Sequence, residues 1–458
     1  MVHSRRTFIK TATVAGAATL FDVGRLSAAS FVRPDVATVK KHDLDAYSKA
    51  IKAMQALPNT NPLSWAYQAA IHGTTLSGSQ PGWNTCQHGT PYFWSWHRMY
   101  LYWFERIVRK MSGDKKFALP YWNYESPSER QLPAPFRDMA SPLYTANRGA
   151  GWNTGAASLS ASAVDTSGFM PLVPYFNAQS GCEGTPHAAV HVSIGGWMGS
   201  VPTAAQDPIF YLHHANIDRL WNLWLKQGGM RSDPINDAAW RTTKFLFFDE
   251  NGAQVWMTGC DILRAEDQLN YTYENEGAQV NQYCLKPLPW WIYEVKLWPV
   301  RFPPIKLPPG PDPAPYEIDL GQQRDQLLSA VRNATTQVTL DLSGVEADKQ
   351  PNVFWEIYLG LPKGAAAAPN SPQFVGTMAL FGHGIHDAHQ HGGFKPAAFS
   401  FPINRAVQAA LTREKGNALS LRFVPRGAVV TNQRTVVRSE ATLTIGSAQL
   451  ATRQLKAQ

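Results

Sequence analysis

Two hydrophobic rhythms divide this chain of 458 residues. Up to about residue 285 apolar and aromatic positions recur at helical spacing; beyond residue 336 they fall in short runs broken by Gly, Pro and Asn. In the first part Trp65, Ala69 and His72 share one face of a helix that Asn61-Pro62 can start. Pro91 to about Met111 is apolar nearly all round, the pattern of a helix buried in a core. Pro186 opens a segment with His187 and His191 at i, i+4, which puts both imidazoles on one helical face. Asp207-Pro208 starts a helix that runs past Trp224 and stops at Gly228-Gly229. Four facing helices, each with one or two inward histidines, is how a bundle holds a buried metal pair.

The second part reads as strands. Gln337-VTLDL, Phe354-WEIYLGL, Phe374-VGTMALF, Ala398-FSFPI, Leu419-SLRFVP and Ala441-TLTIG are rich in β-branched and aromatic residues and predict a sandwich or barrel. Between the two rhythms ten prolines fall from Pro287 to Pro315, so residues 286–315 are expected to form an extended connector. The predicted organisation is a mainly α domain over 30–285, a proline-rich linker over 286–315 and a β-rich domain over 316–458.

The first 29 residues stand apart. Ser4-Arg5-Arg6-Thr7-Phe8-Ile9-Lys10 precedes a mild apolar run from Thr11 to Phe21 and then Leu26-Ser27-Ala28-Ala29. Basic motif, apolar run and small-residue cleavage site in that order resemble a twin-arginine export signal. This implies a bacterial protein sent folded to the periplasm or secreted, with the export machinery as a partner. No stretch approaches the ~20 apolar residues of a membrane span, so stable membrane insertion is not expected. The net charge is +8. No Lys/Arg block interleaves with aromatics, so no nucleic-acid partner is expected.

Six histidines carry the chemistry: His72, His88 and His97, then His187, His191 and His214. A lone histidine is ordinarily a satisfied core or surface residue; two trios beside helices point to two metal ions. Three neutral imidazoles suit one copper ion, and the lack of carboxylate or thiolate ligands disfavours structural zinc, magnesium and calcium. Imidazole also suits catalytic zinc and iron, so the donors alone favour copper without selecting it.

His88-GTPYFWSW-His97-RMYLYWFE and DPIFYLH-His214-ANIDRLW closely resemble the two copper-binding signatures of tyrosinases and catechol oxidases, which molluscan haemocyanins share. The resemblance implies two copper ions, dioxygen as co-substrate, small phenolic substrates and a copper chaperone as a candidate partner. It implies a polyphenol oxidase that turns monophenols, o-diphenols or both into o-quinones. A catechol oxidase or o-aminophenol oxidase without monophenol hydroxylation is the alternative within the class, and a haemocyanin-like oxygen binder the alternative outside it. A single dicopper unit argues against the carrier.

The same resemblance assigns further residues. The second signature selects His214, four residues before Asp218, over its neighbour His213, which is left a packing role; Asp218 and Arg219 anchor the helix. Glu183, four residues before His187, matches a glutamate that holds a water near the metals. Ala188 stands where efficient monophenol hydroxylases carry asparagine, which implies weak hydroxylation. Val201 replaces a bulky gate phenylalanine and implies a more open second copper. Cys86-Gln87-His88 resembles the site of a thioether between the two outer side chains. Of the remaining Cys182, Cys260 and Cys284, the preferred disulfide is Cys260 with Cys284. Arg33-Pro34 and Tyr271-Thr272-Tyr273 resemble the motif that closes the catalytic domain in plant polyphenol oxidases. Phe374-VGTMALFGHG and Leu421-RFVPRG resemble the plant C-terminal domain that covers the active site. His383, His386, His389 and His391 read equally as a copper-loading loop and as a polar surface loop.

Overall fold

The computed structural model describes residues 31–274, 276, 291–333, 336–362, 364–386, 395–413, 416–430 and 438–457, with 291–295, 299–300, 429–430 and 454–457 described by backbone alone. The expected export signal, Cys284, His389 and His391 lie outside the described residues. The first domain holds helices α1 (Lys41–Gln55), α2 (Trp65–His72), α3 (Phe93–Ser112), α4 (Tyr175–Cys182), α5 (Ala189–Ile194), α6 (Val201–Ala204) and α7 (Ile209–Lys226). Among the described residues no helix is long and apolar enough to cross a membrane.

The local chemistry of each helix decides its bounds. Ser64, not Asn61, caps α2: its side chain accepts from Tyr67 N at 3.0 Å, while Asn61 closes the preceding turn by accepting from Leu63 N. α3 stops where Gly113 takes a left-handed φ of 77°. It is less uniformly buried than its composition predicts, because Tyr102, Trp103, Arg106 and Lys110 form one stripe left partly open. The segment before α5 departs from the expected regular helix. Thr185 is extended (φ −151°, ψ 124°), so His187 sits in an irregular wide turn over Glu183–Ala188. Its ring still lies 4.7 Å from that of His191.

The first domain also carries strands β1 (Phe31–Arg33), β2 (Ala157–Ser158), β3 (Phe245–Phe248), β4 (Gln254–Met257) and β5 (Tyr271–Tyr273). β1 pairs with β5 in parallel, Arg33 opposite Tyr273. That pairing delivers a fully buried guanidinium between the two ligand-bearing helices. Arg33 donates to Glu105 of α3 at 2.7 Å and to the Tyr273 hydroxyl at 2.8 Å, and lies 3.6 Å over the Tyr271 ring. Asp218 of α7 receives Arg98 of α3 at 2.5 Å and both tyrosine hydroxyls at 2.6 Å. Burial opposes the Asp218 charge, but Arg98 and Arg33 outweigh it and hold the carboxyl below its ordinary range. The anchoring role expected of Asp218 is the one its contacts show, and Arg219 adds a bond to Glu125 at 3.0 Å.

The second domain contains β6 (Trp291–Arg301), β7 (Ile305–Leu307), β8 (Tyr316–Asp319), β9 (Thr336–Ala347), β10 (Phe354–Leu359), β11 (Phe374–Met378), β12 (Ala397–Pro402), β13 (Ala418–Arg426), β14 (Val429–Val430) and β15 (Leu443–Ala457). All six runs predicted as strands lie in strands. They form two open sheets, β11-β10-β13-β8 and β12-β9-β15-β6, with β7 also on β15. Leu340, Leu342, Trp355, Ile357, Leu421, Phe423 and Leu450 join both sheets in one core. This is a sandwich rather than a closed barrel.

The expected linker is overturned. From Trp291 onward it is sheet, with Val295 opposite Arg453 and Ile305 opposite Ile445 of β15. Prolines mislead here because β6 is an edge strand, where a missing N–H costs little, and Pro303-Pro304 and Pro308-Pro309 sit at its breaks.

The two domains share interior. Every residue of β10 is buried: Trp355, Ile357 and Leu359 face the sandwich core, while Phe354, on the opposite face, joins the core of the helical domain with Ala379 and Phe381. β14 pairs with β2 across the seam, and Thr185 Oγ1 donates to the Thr377 carbonyl at 2.8 Å.

Candidate dicopper centre

Each ligand helix ends or turns so as to point imidazoles inward. His72 closes α2, His97 lies in the first turns of α3, His187 and His191 flank the start of α5, and His213 and His214 sit on α7. His88 comes from the loop before α3. Two groups result, His72, His88, His97 with Cys86, and His187, His191, His213, His214; within each, one donor atom per residue lies within 4.8 Å of the others. The groups face one another. The His97 and His214 rings stack at 4.2 Å, and His88 lies 5.5 Å from His187. All six expected ligands therefore converge.

Backbone carbonyls set four of the tautomers. Nδ1 of His72, His97, His187 and His191 lies 3.1, 2.8, 3.1 and 2.7 Å from the carbonyls of Val201, Phe93, Glu183 and Met198. A carbonyl can only accept, so each Nδ1 carries the proton and each Nε2 presents a lone pair to the cavity. Nε2 of His72 and His187 and Nδ1 of His214 are buried with no protein partner. Burial disfavours the imidazolium and lowers the pKa of all six, that of His72 to about 3. Six neutral, buried imidazoles, three of them with a ring nitrogen that has no protein partner, are what two copper ions require. They are a poor core on any other account.

The other expected site residues separate. His213 has Nδ1 3.1 Å from the Tyr124 hydroxyl, yet its Nε2 has no partner and lies in the second group, so geometry alone does not relegate it to packing. Glu183 is buried and accepts from Gly89 N at 2.6 Å; desolvation, against that bond, raises its carboxyl to about 8. Ala188 is fully buried beside His187. The Val201 backbone carbonyl meets His72 of the first trio. The Cys86 sulfur lies 3.5 Å from His88 Nδ1 and 3.4 Å from His97 Nε2, and both Cys86 and Cys182 are free thiols. Cys260 is disulfide-bonded.

One residue at the site was not singled out, although it lies within the quoted Phe374-VGTMALFGHG segment. Phe381, from the second domain, is fully buried and stacks on His191 at 3.9 Å and 7°, with His88 and His187 at 5.5 and 5.6 Å. The next residue must be small, since a Cβ on Gly382 would fall 2.4 Å from His88 Nδ1. The available signal was an apolar strand end followed by Gly-His-Gly.

The common central domain of tyrosinase matches residues 62–151 and 147–227, which contain all six ligands. The polyphenol oxidase middle domain matches residues 234–291. Over residues 62–227 and 234–291 the chain matches the tyrosinase and polyphenol oxidase family. A domain of unknown function matches residues 317–438. Tyrosinase HcTyr1 of Hahella sp. (strain CCB-MM4) is 36% identical over 294 residues, 53% of this chain and 62% of that protein. The chloroplastic polyphenol oxidase of Malus domestica is 28% identical over 422 residues, 79% of this chain and 69% of that one. The chain thus spans 62% and 69% of the lengths of these two relatives. Latent apple tyrosinase shares the fold over both domains, with a TM-score of 0.66, 24% identity, and coverage of 94% of this chain and 99% of that one. The tyrosinase family's dicopper centre fits the two histidine groups.

Proposed function

We propose that this chain is a copper-dependent polyphenol oxidase that oxidises small phenols to o-quinones with dioxygen, held latent by its own second domain. The observation that carries the reading is the pair of buried, neutral histidine groups with Phe381 wedged among them. α2, α3, α5 and α7 act as the four-helix frame. When bound, the copper pair supplies dioxygen binding and oxidising capacity. The protein holds the lone pairs in place through carbonyl-locked tautomers, keeps water out by burial, and admits substrate only when Phe381 withdraws. Glu183 holds a proton near neutral pH in the covered state and becomes a proton acceptor for a phenol once the cover lifts. Ala188 favours o-diphenols over monophenols as substrates. The Cys86 sulfur beside His88 supports a thioether formed on copper loading. We further assign the N-terminal segment to twin-arginine export after copper loading by a chaperone.

The test is oxygen uptake by the copper-loaded protein on paired mono- and diphenols, before and after activation by mild detergent. Quinone formation that needs copper and rises on activation supports the reading. Reversible oxygen binding without turnover would select the haemocyanin-like alternative.

A further inference from the structure

We infer that a cavity at the seam between the domains is a second binding site, for a neutral single-ring aromatic alcohol, separate from the copper centre. The cavity measures about 220 Å³, and its walls come from both domains. That is room for one ring, below the ~300–1,000 Å³ of sites for drug-sized ligands. Phe176, Pro91 and Pro396 give it flat apolar sides, and Gln179, Glu183 and His383 give it a polar floor.

The floor is built for a ligand hydroxyl. Gln179 is 3% and His383 6% exposed, and Gln179 Oε1 and His383 Nδ1 have no hydrogen-bond partner. The Gln179 amide is fixed, because its Nε2 donates to the Thr90 carbonyl at 2.7 Å, which leaves Oε1 as a free acceptor. A phenol O–H can donate to that oxygen, with its own oxygen beside His383, whose Nδ1 also lies 3.5 Å from Glu183 Oε1. The ring then lies against Phe176 and the prolines. The lining holds the carboxyl of Glu183 and neither lysine nor arginine, so it offers an anion no fixed positive charge. Because both domains line the cavity, occupancy favours the docked form. The site borders the copper centre through Glu183 and through Gly89, the neighbour of His88, but holds none of the six histidines.

The test is calorimetric titration of phenol into the intact, copper-loaded chain without dioxygen, so that no turnover occurs. One saturable event is expected, weakened at least tenfold by Ala398→Phe, which fills the cavity from an exposed position on β12, and several-fold by Phe176→Ala. His97→Ala should leave it unchanged. Cyclohexanol, which offers the hydroxyl without the flat ring, should bind at least tenfold more weakly. No saturable binding, or binding that both cavity variants leave alone, overturns the site. Binding lost in His97→Ala places phenol at the copper centre and also overturns it. Equal affinity for cyclohexanol overturns the aromatic assignment.

Discussion

Phe381 is the residue on which the proposed latency turns, and truncating it to alanine gives the sharpest test. Its ring is completely buried against His191. Burying a phenylalanine side chain stabilises by about 1.5–3 kcal/mol. A well-placed ring pair adds about 0.5–1.5 kcal/mol. Phe381→Ala should therefore weaken docking at the copper entrance by about 2–4.5 kcal/mol, a factor of roughly 30 to 1,500 in the open-to-closed ratio at about 1.4 kcal/mol per tenfold. The observed rate rises in proportion until it meets the ceiling set by the fully open site. Even if the domain stays docked, loss of the ring opens a path to the histidines, so either response points the same way. The assay is oxygen uptake on catechol by intact protein without protease or detergent, with copper measured per chain. Phe381→Leu, which keeps part of the bulk, should fall between wild type and alanine. A Phe381→Ala protein with full copper and the wild-type latent rate would refute the reasoning.

His97→Ala and His214→Ala should each lose one copper per chain by elemental analysis and abolish catechol oxidation; full copper content in either rejects that ligand. Asp218→Asn leaves Arg98 buried without its ion-pair partner, while Arg33 keeps Glu105, and should cost on the order of 3–5 kcal/mol in denaturant unfolding. Because folding depresses the Asp218 pKa, its contribution is present above the unfolded carboxylate value of about 3.9 and is lost as pH falls through the lower folded value. Wild type should thus lose stability below about pH 4 more steeply than the asparagine variant. Mass spectrometry of the copper-loaded, reduced protein should find Cys86 joined to His88, two hydrogens lighter than the unlinked sum; a freely alkylatable Cys86 in active enzyme rejects the thioether.

The ligand set was legible because its signal is local. Histidines at fixed offsets on helices keep those offsets in the fold, and even the break at Thr185 leaves the His187 and His191 rings together. The six strand runs were legible for the same reason, since alternation is imposed by the sheet face each run covers. What escaped depends on partners distant in sequence. β6 hides behind prolines because only its place at a sheet edge makes them tolerable. The Val201 carbonyl's contact with His72, 129 positions away, had no local signal either. Phe381 matters solely through docking, and no spacing announces that.

Under the latency proposed above, activation also exacts a toll from the enzyme it frees. Because β10 turns Phe354 into the helical domain's interior, lifting the cover strips apolar surface bare on both partners at once. Exposed faces of that kind seek other faces. The working form should therefore be sticky and short-lived, clumping or refolding onto its cover within the span of its own quinone production. A catalyst whose product attacks proteins gains from such a fuse: the step that starts it also begins its retirement.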